Sequence, residues 1–383
     1  MDSILKKIET LKDYLQFDVV CASWHSARSS SRIKFGQAPM LLMLAGEEND
    51  DDSHMLMYDV VTQSFLESKF VVPYTRRFAG SSHGWLVAVE KDLSVMLYKP
   101  YSPATKQMIN SSSSSTTTIR LPPLCPPSNP EQLYSAIVDY YLSHTDYYIR
   151  KATITADPLK NPDHCIVAVI FTNELRIAFI RPGRDTSWTV AECDMMMTID
   201  DILYYNDRFY GVDNDGTLFS FKITESFNID VKLVASSIPY DIVGNTYLVE
   251  SRGKLLMVVR YMEWFNVDEP EEGRETTNAY VYELDFDKQT WVENETLGDD
   301  VALFMGDSTS ISVLASDFPG CKPNCIYFTH DTDMLRSDQH AQNDFVICDF
   351  ENGRMEWNFG LDTTSLSKIG NRVLIWVVVN QAQ

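Results

Sequence analysis

The 383-residue sequence has no apolar stretch long enough to cross a bilayer as a helix. Its longest run near the end, Val373 to Val379, falls far short of the roughly 20 residues that a span needs. A leader-like start is missing too, because the first residues alternate lysine and glutamate with apolar side chains. Without a secretory signal, the glycosylation-type triplets at Asn110 and Asn294 are chance matches. Cysteine is sparse and odd in number: seven residues, at 21, 125, 165, 193, 321, 325 and 348, form no dense framework. That excludes a disulfide-stapled secreted scaffold and predicts reduced thiols in the cytoplasm or nucleus. Basic residues are scarce, with 32 Lys and Arg against 54 Asp and Glu, a net charge of -22. A body this acidic repels phosphate backbones, so no nucleic-acid partner and no membrane partner is expected. The deficit is uneven: residues 1–40 carry Lys6, Lys7, Lys12, Arg28, Arg32 and Lys34 against Asp2, Glu9, Asp13 and Asp18.

The strong catalytic signatures are absent as well. There is no H-E-x-x-H, no P-loop and no G-x-G-x-x-G. Gly80-Ser81-Ser82-His83-Gly84 matches the spacing of a nucleophile elbow, but that motif requires a helix after the serine. Here Trp85 to Val89 reads as a strand, so a tight turn placing Trp85 in the core is the better reading. Cys321 and Cys325, with His330 and His340 downstream, have zinc-like spacing. The prolines and glycine around the cysteines instead describe a hairpin, with Cys325 opening a strand. Asp213-Asn214-Asp215-Gly216 has the wrong spacings for a calcium loop. The adjacent pairs Asp200-Asp201 and Asp299-Asp300 point to opposite faces of a strand and make no general acid/base pair. The expectation is a non-enzymatic protein with no catalytic residue, metal site or cofactor.

What is present is 44% hydrophobic residues, enough for a sizeable core. Ile4, Ile8, Leu11 and Leu15 recur at helical spacing, and a second short helix is predicted over Phe17 to Ala27, with Val20 and Trp24 one turn apart. After Arg32 the texture changes to short apolar or alternating runs rich in Val, Ile, Tyr and Phe, separated by turn residues. These include Met40–Leu44, Trp85–Val89, Ile166–Phe171, Arg176–Ile180, Leu255–Val259 and Cys325–Phe328. Asn214-Asp215-Gly216 predicts a hairpin with a type I′ turn.

A repeat narrows the architecture. Tyr58-Asp59…Phe65, Ile180-Arg181-Pro182…Trp188, Leu284-Asp285-Phe286…Trp291 and Cys348-Asp349-Phe350…Trp357 each run from a strand through a turn to an aromatic residue. Tyr98-Lys99-Pro100 and Phe219…Phe227 are looser copies. Starts at 58, 98, 180, 219, 284 and 348 suit four-stranded propeller blades, with room for two blades in the gap from 98 to 180. The expected fold class is all-β: a propeller-like repeat domain of about six or seven blades over residues 33–383, preceded by short helices over residues 1–32. Glu47 to Asp52, Ser111 to Thr118 and Asp268 to Glu275 read as solvated loops.

Several stretches resemble a known family. Asp13 to Phe17 and Val19 to Ala27, including Val20-Cys21 and Ser23-Trp24, are similar to the second half of an F-box. Ser81-Ser82-His83-Gly84-Trp85-Leu86-Val87 resembles a hallmark of a large plant family of F-box proteins with a C-terminal domain of uncharacterised function. So do Ile119 to Leu124, Asp201 to Tyr205, Tyr247 to Ser251, Leu303 to Asp307 and, most specifically, Ala315 to Phe328. The resemblance implies a kelch-related propeller and a non-catalytic role in a Skp1–cullin–F-box ubiquitin ligase. The short helices would dock on a Skp1-like adaptor through Leu11, Leu15, Val20 and Trp24, and the propeller would hold a target protein. Two departures stand out: the Leu-Pro start of an F-box is absent, and no Gly-Gly pair or Trp-Asp dipeptide marks the blades. The first departure leaves a second reading, a stand-alone protein-binding propeller that has lost Skp1 docking.

Overall fold

The computed structural model describes residues 39–45, 53–61, 63–72, 77–90, 92–99, 117–124, 148–171, 176–191, 199–224, 227–238, 244–264, 274–329, 345–357 and 374–377. They form six sheets, and each sheet is one blade of a propeller. Counting outward from the axis, blade 1 is β25 (Ile375–Val377), β1 (Met40–Ala45), β2 (Ser53–Asp59) and β3 (Ser64–Val72). Blade 2 is β4 (Phe78–Ser82), β5 (Trp85–Val89), β6 (Ser94–Lys99) and β7 (Thr117–Pro123). Blade 3 is β8 (Ile149–Ile154), β9 (Val167–Phe171), β10 (Arg176–Ile180) and β11 (Thr189–Val190). Blade 4 is β12 (Ile199–Tyr205), β13 (Arg208–Asp213), β14 (Leu218–Ile223) and β15 (Ile229–Ala235). Blade 5 is β16 (Gly244–Ser251), β17 (Lys254–Trp264), β18 (Arg274–Asp285) and β19 (Thr290–Asn294). Blade 6 holds β20 (Val301–Gly306), β21 (Thr309–Leu314), β22 (Cys325–Phe328), β23 (Val346–Asp349) and β24 (Arg354–Trp357). Among the described residues the helical turns are two short 3-10 turns, Pro162–His164 and Ala315–Asp317.

The inner strands β25, β4, β8, β12, β16 and β21 each touch the next, and β21 touches β25, so the ring closes. Closure uses the two ends of the chain, because β25 pairs with β1 through Met40↔Val377, Leu41↔Trp376 and Leu42↔Ile375. The core is not one mass but six clusters, one between each pair of neighbouring blades. The period-2 alternation of a strand produces this division. Trp85, Val87 and Val89 of β5 enter the cluster shared with blade 3, while Leu86 and Ala88 enter the cluster shared with blade 1. Both faces of such a strand are buried, which explains why Trp85–Val89 reads as a continuous apolar run.

The six repeat copies seen in the sequence fall one per blade, each starting on the third strand. In blades 1, 5 and 6 an aspartate at the end of that strand closes the turn. Asp59 Oδ1 accepts the N–H of Val61 (2.9 Å), Asp285 Oδ1 accepts that of Lys288 (3.0 Å), and Asp349 Oδ1 accepts that of Asn352 (3.3 Å). The number of blades is six. Among the described residues the gap from 98 to 180 holds no extra blade, because β7 and then β8 are the next strands after β6 in the order of the sheets. Two of the supposed loops also run into strands: β7 starts at Thr117 and β18 at Arg274. The predicted helices over 1–32 lie outside the described residues.

Blade 6 departs from the others. Its order from the axis is β21-β20-β22-β23-β24, and β20 runs parallel to β22 but antiparallel to β21. The strands β21, β22, β23 and β24 keep the usual order and polarity of a blade, so β20 is an extra strand wedged between the first and second. A plain hairpin cannot connect β21 to β22 across it. Ala315 to Asn324 crosses over the start of β20 instead. It is fastened there by Ala315 N–H to Asp300 O (3.0 Å), Ser316 N–H to Asp300 Oδ1 (2.7 Å) and Asn324 N–H to Val301 O (2.7 Å). The stretch predicted as a hairpin is therefore a crossover, although Cys325 does open a strand.

Candidate functional site

Strand polarity gives the ring two distinct ends. The turns from first to second strand share one, here the hairpin end. Two-residue turns close it at His83-Gly84, Asn206-Asp207 and Arg252-Gly253, with positive φ at both positions of each. These are the primed turns that match strand twist. The starts of the inner strands, and the turns from second to third strand, mark the opposite end.

Towards the opposite end, polar side chains fill the axis. Lys151 Nζ of β8 lies 2.6 Å from Asp201 Oδ1 of β12, with the two side chains only 6% and 2% exposed. Arg150 pairs with Asp200 at 3.2 Å. Both strands bulge here: Arg150 is skipped in the pairing of β8 with β9, and Asp200 in that of β12 with β13. The bulges break the alternation and let two successive cations meet two successive carboxylates. Lys151 also donates to Ser310 Oγ of β21 at 3.2 Å. The strands β8 and β21 are three places apart in the six-membered ring, so this bond crosses the axis. Asp201 further accepts the N–H groups of Leu248 (2.7 Å) and Ile202 (2.6 Å). One ion pair thus ties blades 3, 4, 5 and 6 together. Burial pushes the Asp201 carboxyl up, and Lys151 with the two backbone donors pulls it back. Arg77 adds a clasp from blade 2, donating to the carbonyls of Ile149 (2.5 Å) and Arg150 (2.6 Å).

The motifs that suggested chemistry have structural roles. Ser82 Oγ donates to Ile154 O at 3.0 Å, and the strand β5, not a helix, follows His83-Gly84. Gly80 lets β4 approach β8, since a Cβ at this position would lie 2.1 Å from Ala152 O. Gly80→Ala is therefore expected to lower stability by about 2 kcal/mol or more, as other overpacking strains do, read as a fall in the denaturant midpoint. Cys321 and Cys325 are buried in the cluster between blades 6 and 1, and burial pushes both thiols up to about 11. His330 and His340 lie outside the described residues. Asp213 Oδ1 accepts the N–H groups of Asp215 (3.0 Å) and Thr217 (2.7 Å), holding a hairpin turn. Only Gly216 has positive φ there, so the turn is a type I turn followed by a left-handed glycine, not type I′. Among the described residues no group of three His, Cys, Asp or Glu side chains could hold a metal ion, and no helix is long and apolar enough to cross a membrane.

Of the seven large exposed apolar side chains among the described residues, four lie at the hairpin end. Leu159, 56% exposed, lies on the β8–β9 connection; Phe286, 44%, on the turn before β19; Leu314, 37%, at the end of β21; and Phe65 beside the turn after β2. The first two sit on braced supports. Asp157 accepts the N–H of Leu159 (2.9 Å) and the ammonium of Lys99 (2.5 Å), while Phe286 stacks on Tyr205 with ring centroids 6.1 Å apart. A rigid support with an apolar tip suits protein contact. The sequence hides this set, because only the topology brings positions 65, 159, 286 and 314 to one end. The isolated leucine in Asp157-Pro158-Leu159-Lys160-Asn161-Pro162 was the one available signal. Leu11, Leu15, Val20 and Trp24 all lie outside the described residues.

Known proteins resemble this chain over most of its length. F-box protein SKIP23 of Arabidopsis thaliana is 26% identical over 395 residues, spanning 93% of this chain and 88% of its own. F-box protein At2g17036 of the same plant is 24% identical over 388 residues, with the same shares. The sequence pattern of the KIB1-4 beta-propeller matches residues 57–353, from within β2 to the turn after β23. With six blades observed and more than half of its length matched, the chain belongs to the KIB1-4 β-propeller family, alongside F-box proteins of plants.

Proposed function

We propose that this chain is a non-catalytic substrate-recognition subunit of a Skp1–cullin–F-box ubiquitin ligase. The observation that carries the reading is its likeness to named F-box proteins over 93% of its length. Residues 1–32 form the adaptor-binding part, with Leu11, Leu15, Val20 and Trp24 supplying apolar contacts to Skp1. The propeller, residues 33–383, holds a target protein at its hairpin end, with Leu159 and Phe286 as anchors. Chemistry belongs to the recruited conjugating enzyme, and this subunit contributes proximity and orientation. The axis supports a surface role, because Lys151 and Ser310 meet across it.

The test is co-expression of the full chain with a plant Skp1. The wild type is expected to co-purify, and Leu11→Asp with Leu15→Asp to lose at least nine-tenths of the Skp1. A wild-type chain that purifies without Skp1 overturns the ligase reading in favour of the stand-alone binding propeller. Leu159→Asp with Phe286→Asp should retain Skp1 yet remove members from the proximity-labelled set. An unchanged set removes the hairpin end as the target face.

A further inference from the structure

The chain enters the ring at the hairpin end, since Met40 pairs with Val377 at the end of β25. Leu41 packs in the same cluster as Ala315 and Cys321, with Phe318 against it. Whatever precedes Met40 therefore leaves beside the crossover of blade 6. The exposed surface around that crossover is apolar at Leu314 and acidic at Glu295, Asp299 and Asp317. Asp300 lies among them, and its hydrogen bonds from Ser316 hold its carboxyl below the ordinary range, so it is ionised at neutral pH. Two cations stand nearby: Lys322 is engaged by Glu356, and Arg252 lies beside Asp300, so Glu295, Asp299 and Asp317 are the carboxylates offered to a ligand.

The sequence before Met40 has the complementary character. Between Asp18 and Glu47 it contains no acidic residue, but it carries Arg28, Arg32 and Lys34, interleaved with the apolar Ile33 and Phe35. The tether is short. At roughly 3.3–3.6 Å per residue, Lys34 reaches at most about 20 Å from Met40 and Arg28 about 40 Å. Linkers of this length hold a ligand at an effective concentration on the order of millimolar. We propose that residues 28–38 dock back onto the blade 6 crossover as an intramolecular ligand. Arg28, Arg32 and Lys34 meet Glu295, Asp299 and Asp317, and Ile33 with Phe35 covers Leu314. The contact fixes the direction in which residues 1–27 leave the propeller. It goes beyond the ligase reading and does not depend on it.

The full chain, treated with a water-soluble carbodiimide, tests this directly. The reagent activates a carboxylate, leaves as its urea, and joins the carbonyl carbon to an amine that loses a proton. Mass spectrometry of the monomer is expected to show Lys34 joined to Glu295, Asp299 or Asp317. The yield should fall at least fivefold in Arg28→Glu with Arg32→Glu, which keeps Lys34, and again in 0.5 M salt. Lys34 left unlinked, or linked with equal yield to carboxylates elsewhere, overturns the proposal. Links confined to the dimer band also overturn it and identify a second copy as the occupant. Skp1 co-purification of the unsubstituted chain, measured separately, reports on the ligase reading alone.

Discussion

Lys151→Met is expected to destabilise the ring by about 3–5 kcal/mol, the usual result of stranding one half of a buried ion pair. The methionine fills most of the volume but leaves the Asp201 carboxyl, 2% exposed, with backbone donors only. The loss should depend on pH, and its sign follows from burial. Without the ammonium, desolvation outweighs the two backbone donors and raises the carboxyl further, so the folded variant keeps a proton that the unfolded chain releases above about pH 4. A raised carboxyl gives stability that is present below the unfolded value and lost as pH rises. The deficit against wild type should therefore be smaller at pH 4 than at pH 7, as read from denaturant midpoints. Asp201→Asn together with Lys151→Met should recover part of the loss by removing the buried charge. A deficit under about 1 kcal/mol at pH 7, or one that shrinks as pH rises, would refute the role given to this pair.

Trp376→Ala should be at least as damaging. Trp376 is 1% exposed, packs edge-on against Phe304 at 4.9 Å and donates from Nε1 to Met305 O at 3.0 Å. Truncating a buried tryptophan costs about 3–5 kcal/mol through lost burial and the cavity left behind. Here it also strikes the strand that closes the ring, with Trp376 standing opposite Leu41. Amide exchange in Met40–Leu42 and in β25 is expected to speed up well before exchange in blade 4, because closure is where the ring opens first. Uniform acceleration across all blades would contradict that order.

The outer architecture was legible because third strands and their turns carry a chemical pattern. An aspartate after a strand can close the next turn with its own carboxylate, and such a signal survives in sequence even when blade lengths vary. Several inner strands were missed, and so were outermost strands such as Ile229–Ala235 and Thr290–Asn294. Phe78–Ser82, Ile149–Ile154 and Thr309–Leu314 contain Ser, Thr, Arg and Lys, which read as loop residues until the axis supplies their partners. Asp200-Asp201 was misjudged for a related reason. The opposite-face rule assumes regular pairing, and both facing strands bulge at this point. The crossover was missed because parallel pairing of β20 with β22 is a long-range choice, and Pro319-Gly320 and Pro323-Asn324 look locally like hairpin punctuation. The hairpin-end set of Leu159, Phe286 and Leu314 has no sequence periodicity at all, since each residue comes from a different blade.

Ring closure by β1 and β25 also has a consequence for synthesis. Blades 2 to 5 can each pair as soon as their own stretch of chain is available. β1 can pair with β2 at once, but its inner edge has to wait for a partner more than 330 residues later. At about 5–20 residues per second, that delay is on the order of tens of seconds. Throughout it Met40, Leu41 and Leu42 present an unpaired apolar edge, the kind that recruits foreign strands. Until β25 leaves the ribosome, the inner edge of β1 is the place where a nascent chain is most open to pairing with a foreign strand.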